Sequence, residues 1–227
     1  METKTVNTKL ALIDAAGELF AEHGFEGTST RAIADKAQVN IAGIKYHFGS
    51  KEALYLHTIS HVFESGNNLD LEKIIGESHP NMDDKEGVAN LILDLVICCY
   101  EDVFCSGQPD WHTKLIMQEV LHNDCAIEYT VDYYFRPKHK AVVDLYKQLK
   151  PETTTEEAYV WGFTMYSQMV FLMQMEKMLN VLTADCCEQI EILKESIKIT
   201  AMSMICKADL PLPKRITNNE IKIEGIK

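Results

Sequence analysis

Four side chains near the N-terminus carry hydrogen-bond donors of the kind that grip phosphate: Thr30, Tyr46, His47 and Lys51. Thr30 stands where a short helix begins, so its hydroxyl and the free backbone N–H groups beside it can meet an anion. Lys51 holds the same place at a later helix start and adds a charge. Tyr46 and His47 end the short helix between them with a hydroxyl and an imidazole, both able to donate to phosphate oxygens. Contacts of this kind supply most of a protein's affinity for DNA and set its register. Just upstream lie residue types that read bases: Asn40 suits adenine, Lys45 suits guanine, and Ile41 or Ala42 can touch a thymine methyl. Ala42 and Gly43 also let the helix come close to the groove floor.

The surrounding pattern predicts elements that would hold these groups in place. Leu12, Ala16, Leu19 and Phe20 form a helical stripe within Thr8–His23, and Gly24 ends it. Thr28-Ser29-Thr30 can cap a short helix, Arg31–Ala37, whose inner face is Ile33, Ala34 and Ala37. Gln38-Val39-Asn40 separates it from a second short helix, from about Ile41 to Phe48. Ser50 caps a longer helix that starts at Lys51 and carries Leu54, Leu56, Ile59 and Val62. Two short helices three residues apart, with alanines at the crossing, have the dimensions of a helix-turn-helix. Phe48 suits core packing, whereas Tyr46 can pack its ring and still present its hydroxyl.

Charge is distributed in keeping with this. The 227 residues carry a formal net −12, with 46% hydrophobic and 25% charged residues. Residues 1–60 hold six Lys or Arg against seven Asp or Glu, which leaves −11 for residues 61–227. Between Phe25 and Lys51 the balance is four against two in favour of cations, enough for a local positive face. No apolar run is long enough to span a membrane, and Met1–Thr8 has no apolar signal core, so a cytoplasmic protein is expected.

The rest of the chain argues against an enzyme. There is no G-x-S-x-G, P-loop or H-E-x-x-H. His57 and His61 stand four apart and could share a metal, with Glu64 as the best carboxylate, but neither a metal nor a cofactor is expected. The seven cysteines include the neighbours Cys98-Cys99 and Cys186-Cys187 and make no C-x-x-C, so reduced thiols are expected, with a thiol or metal sensor as the alternative. A protein-binding adaptor is a further alternative, but it would leave Thr30, Tyr46, His47 and Lys51 together unexplained.

Residues Thr8 to Val62 resemble the TetR/AcrR family of transcriptional regulators. The resemblance rests on Leu12-Ile13-Asp14-Ala15-Ala16, Phe20-Ala21-Glu22-His23-Gly24-Phe25, Thr28-Ser29-Thr30-Arg31-Ala32-Ile33-Ala34 and, above all, Ile44-Lys45-Tyr46-His47-Phe48-Gly49-Ser50-Lys51-Glu52-Ala53-Leu54. The Asn40-Ile41-Ala42 start, with the later helices, is similar to the branch with a CerR- or CecR-type C-terminal domain. The resemblance implies an all-α protein: a three-helix, homeodomain-like helix-turn-helix domain over 1–53, a helical ligand-binding and dimerisation bundle over 54–208, and a polar tail over 209–227. It implies that Thr30, Tyr46, His47 and Lys51 all touch phosphate. It also implies a repressor released from a palindromic operator by a small molecule, and a homodimer in which the last two long helices, about Glu156–Leu179 and Cys186–Lys207, make a four-helix interface.

In the later part of the chain the expected helices run from Gly87 to about Cys105, Trp111 to His122, Ile127 to Lys150 with Pro137 at a start or kink, and then through those last two. Gly66 to Glu86 reads as a helix end and a loop. An apolar effector pocket among the middle helices would draw on Phe104, Trp111, Met117, Tyr133, Tyr134, Phe163 and Tyr166, with His112, Gln118 and His122 as polar groups. A glutamine at 118, where some family members carry arginine, disfavours an anionic ligand.

Overall fold

The computed structural model describes residues 2–65, 71–78, 81–104, 107–122, 125–182 and 189–217, and among these it is all helical, with no strand. The order is α1 (Glu2–Gly27), α2 (Thr30–Lys36), α3 (Ala42–Phe48), α4 (Lys51–Ser65), α5 (Leu71–Ser78), α6 (Lys85–Phe104), α7 (Asp110–His122), α8 (Ile127–Thr130), a π-helical turn (Val131–Phe135), α9 (Arg136–Leu149), α10 (Thr155–Leu182), α11 (Gln189–Lys207) and α12 (Lys214–Thr217). No described helix is long and apolar enough to cross a membrane.

The chain divides into two compact units. One comprises residues 1–68 and 106–136, the other 69–105 and 137–227. The expected division at residue 53 therefore falls inside the first unit, because α4, α7 and α8 share a core with the helix-turn-helix. Leu12, Ala16, Phe20, Ile33, Leu54, Tyr55, Ile59, Trp111 and Leu115 are all buried in that one core. The predicted stripe of α1 faces it, and Gly24 breaks the helix with φ 71°, a conformation glycine adopts without penalty. Phe25 then folds back, its ring 6.0 Å from that of Phe20 and 5.2 Å from that of Tyr55.

Two polar groups in this core are tied to each other across the chain. The Tyr55 hydroxyl donates to a Glu119 carboxylate oxygen at 2.6 Å, and the other oxygen accepts from the Ala126 N–H at 2.9 Å. Glu119 is fully buried, and satisfied carboxylate oxygens make that tolerable. His112, two turns earlier on α7, is also buried, and its Nδ1 has no hydrogen-bond partner among the described residues. Burial, aided by His61 with its ring 6.0 Å away, pushes the His112 imidazole down to about 4. The unfolded chain takes up a proton near pH 6.5 that the folded chain refuses until about pH 4, so stability is fully present above 6.5 and falls as pH drops through that window. We expect the urea midpoint of the wild type to fall between pH 7 and pH 4.5 more steeply than that of His112→Phe. Parallel pH dependences of the two proteins would contradict it.

The second unit has its own core. Leu71, Val88, Ile92, Leu95, Val96, Val142, Leu145, Trp161, Met165, Ile197, Met204 and Ile205 are buried together. The Trp161 indole N–H donates to the Met204 carbonyl at 3.1 Å, and its ring stacks on Tyr146 at 4.6 Å. Three expectations are corrected here. The segment 66–86, expected as helix end and loop, contains α5, whose Leu71, Ile74 and Ile75 pack at helical spacing on this core. Residues 209–217, expected as polar tail, contribute half-buried Leu210 and Leu212 and fully buried Ile216; residues 218–227 lie outside the described residues. The single helix expected over 127–150 is interrupted by the π-helical turn. There the Arg136 N–H bonds back to the Val131 carbonyl, and Pro137, which has no N–H to donate, follows directly.

Candidate nucleic-acid interface

Each end of the short helices is set by a local bond that the residue types foreshadow. The Ser29 hydroxyl accepts from the Ala32 N–H at 3.1 Å and caps α2. Thr28 turns its hydroxyl back onto the Gly24 and Leu19 carbonyls at 2.8 and 3.1 Å. Gln38 then takes a positive φ of 57°, which stops α2 and sets up α3. The Asn40 side-chain oxygen accepts from the Ala42 N–H at 2.8 Å. At the far end Gly49 has φ 83°, and the Ser50 hydroxyl accepts from the Ala53 N–H at 3.1 Å to open α4.

These stops leave α3 as a two-faced helix. Ile44 and Phe48, one turn apart, are buried. On the other side Asn40, Ile41, Ala42, Lys45 and Tyr46 are exposed, with Ile41 at 50% and Tyr46 at 80%. Aliphatic and aromatic surface left in water at a helix start, beside a lysine, is what a groove-reading surface requires. Phe48 is core, with its ring 5.5 Å from that of His57. Tyr46 differs from the expectation that its ring packs: both ring and hydroxyl stand in solvent, the ring meeting His47 edge-on at 4.9 Å.

The phosphate-contact candidates are placed unequally. Thr30 is the half-buried first residue of α2, and His47 is half-buried between the rings of Tyr46 and Phe48. The Lys51 ammonium lies against the protein: it donates to the carbonyls of Phe25 at 2.9 Å and Thr28 at 3.2 Å, and sits 4.1 Å from the centroid of the Phe25 ring. It ties the α1–α2 turn to the start of α4, leaving one of its three N–H bonds for a ligand. Asn40 and Lys51 thus hold the motif's shape, a role their sequence context did not announce. Arg31 pairs with Asp35 at 3.9 Å and Lys36 with Glu18 at 2.6 Å, while Lys45 is exposed.

Gly43 separates shape from contact. A Cβ built there would meet only a Leu12 methyl at 3.8 Å, ordinary van der Waals distance. Gly43→Ala is therefore expected to leave Tm unchanged or slightly raised, because alanine favours helix, while weakening operator binding about tenfold through lost close approach. Filter binding and a melting curve on the same preparation check both halves.

The effector-pocket candidates are divided between the two units. Trp111 and His112 are buried in the first unit; there too Met117 and Gln118 are half-buried and His122 is exposed. Tyr133, 54% exposed, stacks on Tyr129 at 5.4 Å, and Tyr134 stacks on Phe63 at 4.4 Å. Phe163 and Tyr166 belong to the second unit, next to His139, which sequence reasoning missed. The Phe104 side chain lies outside those described. His57 is exposed and His61 neighbours His112, but the described residues include no group of three or more His, Cys, Asp or Glu able to hold a metal. Cys98 and Cys99 are half-buried, Cys125 and Cys206 exposed, and Cys186-Cys187 lie outside the described residues.

Residues 12–58 match the family model of bacterial regulatory proteins, tetR family. Over 56 residues the chain is 52% identical to the HTH-type transcriptional dual regulator CecR of Shigella flexneri, a stretch covering 25% of each protein. Over 58 residues it is 36% identical to the biofilm operon icaADBC HTH-type negative transcriptional regulator IcaR of Staphylococcus aureus (strain Newman), covering 26% of this chain and 31% of that one. The match thus spans a quarter to a third of these relatives' length. As a fold, the chain is similar to a solved structure from Clostridium perfringens described as a fatty acid metabolism regulator, with a TM-score of 0.60 over 87% of this chain and 97% of that one, at 16% identity.

Proposed function

We infer that this chain, a member of the TetR/AcrR family of transcriptional regulators, works as a homodimeric repressor that grips a palindromic operator through α3 and releases it when a small molecule binds. The observation that carries this reading is the solvent face of α3, where Ile41, Ala42, Lys45 and Tyr46 stand exposed opposite the buried Ile44 and Phe48. In this reading Asn40, Ile41, Ala42, Gly43 and Lys45 meet bases, and Thr30, Tyr46, His47 and Lys51 meet phosphates.

One such helix reads too few base pairs for useful specificity, and two related by a two-fold axis read a palindrome with half-sites one helical turn or a multiple apart. The second unit offers a surface for that pairing. Along α10, Val160, Phe171, Met178 and Val181 are all exposed, between 47% and 77%, and Ile199 of α11 is 55% exposed. An apolar stripe of this length on a long helix marks a partner-binding face, and a second copy presenting the same stripe satisfies it isologously. Release is a population shift: the effector must prefer an arrangement in which the two α3 helices no longer match the half-site spacing.

The test is selection of the purified protein on random duplex DNA, with sequencing of retained fragments and a salt titration. A palindrome is expected, with log K falling against log salt at a slope of about −4 for two lysine contacts per subunit. Enrichment of a non-palindromic site would contradict the dimeric reading. No enrichment, before and after refolding to remove any bound inducer, would contradict DNA recognition itself.

A further inference from the structure

In the second unit two buried polar atoms have no hydrogen-bond partner among the described residues: His139 Nε2 and the Tyr166 hydroxyl. They belong to neighbouring rings, with centroids 6.1 Å apart, one on α9 and one on α10. Leaving two such atoms unpaired in one place is costly, and native proteins keep buried polar groups satisfied. Gly162 is what admits the imidazole. A Cβ at that position would fall 2.6 Å from His139 Cε1 and 2.9 Å from Nδ1, so any other residue on that turn of α10 would displace the ring. The rings of Tyr159 and Phe163 flank His139 at 4.8 and 5.0 Å. Both flanking rings also reach solvent, so the pair lies within reach of a small molecule, and a few polar atoms among aromatic rings are what such a site uses.

We propose that His139 and Tyr166 anchor the effector, and that the effector is an uncharged aromatic molecule bearing one group, such as an amide or alcohol, that both donates and accepts a hydrogen bond. The proposal rests on the effector reading above and gives it a chemical class. Burial pushes the His139 imidazole below its ordinary range and the Tyr166 phenol, with Cys99 adding to the effect, above its own. Both groups are therefore neutral at pH 7, a neutral imidazole offering one donor and one acceptor and the phenol a donor. Nothing in this pair compensates an ionic ligand, whose desolvation would go unrewarded.

The experiment uses the full chain without DNA, so its outcome is independent of operator recognition. Benzamide, benzoate and toluene serve as probes of equal ring size, followed by melting temperature and by the imidazole NMR signal of His139. Benzamide is expected to raise Tm by about 3–6 °C at a tenfold excess over its Kd and to shift the His139 signal. Tyr166→Phe and His139→Phe are each expected to weaken it at least tenfold. Tyr166→Phe without ligand is expected to melt about 2–4 °C higher than the wild type, since it removes an unpaired buried hydroxyl. Benzoate or toluene binding as tightly as benzamide would overturn the proposal, as would no effect of any probe. A ligand-free Tyr166→Phe that melts lower than the wild type would overturn it too, because the hydroxyl would then be satisfied within the protein.

Discussion

Tyr46→Phe lowers operator affinity by about a hundredfold or more while its melting curve overlays that of the wild type. The side chain is 80% exposed and its hydroxyl makes no hydrogen bond among the described residues, so the fold is expected to be indifferent to it. Surface changes of this kind stay within about 0.5 kcal/mol. In the complex, a hydrogen bond to a charged phosphate is worth about 1.5–3 kcal/mol, and a palindrome doubles it, because both subunits lose the contact. A gel-shift titration at fixed salt, with the salt slope measured alongside, reads this directly. The slope is expected to stay as in the wild type, because no cation has been removed. Affinity unchanged within threefold would place Tyr46 outside the interface and with it the proposed orientation of α3.

Gly17→Ala is expected to be the most damaging small substitution in the first unit. A Cβ at Gly17 would lie 2.2, 2.4 and 2.5 Å from three atoms of the Trp111 six-membered ring. Trp111 is 8% exposed, so its ring is held in the core and either it or the α1–α7 packing must shift. Overpacking of this sort costs about 1–3 kcal/mol and occasionally more, against a typical total of about 5–15 kcal/mol. A urea melt of Gly17→Ala, Trp111→Leu and the double variant checks the cause. If the clash is the reason, the double variant is more stable than the sum of the singles by at least about 1 kcal/mol. Strict additivity would point to backbone effects at Gly17 instead.

The N-terminal segment was largely legible because its signals are local. Gly24, Ser29 and Ser50 each do their work within four residues, and the stripe Leu12–Ala16–Phe20 shows its period in any short window. The helix α5 escaped because Gly66–Glu86 reads as polar when averaged, although Leu71, Ile74 and Ile75 keep helical spacing within it. Membership of α7 in the first core was not legible at all. Nothing near Trp111 or Glu119 announces Gly17 or Tyr55, partners dozens of residues away. The same limit applied to the site. The residue types at 40 and 51 pointed to DNA, but their bonds to the Ala42 N–H and to the Phe25 and Thr28 carbonyls depend on how the turns close. His139 was missed because a lone histidine in a charged helix carries no pattern, and the vacancy that admits it is a glycine on another helix.

The first unit is assembled from two stretches of chain with part of the second unit between them. During synthesis α1 to α4 emerge before Trp111, Leu115 and Glu119, which finish their core and follow only after the intervening 69–105. Domains made of one continuous stretch close as soon as they emerge; this one cannot. Until about residue 136 has cleared the tunnel, α1 and α4 lack the Trp111 ring that packs on Gly17 and the Glu119 carboxylate that accepts from Tyr55. A fragment ending after α4 would lack Trp111, Leu115 and Glu119, which complete the core of the first unit, and is expected to unfold more readily than the full chain.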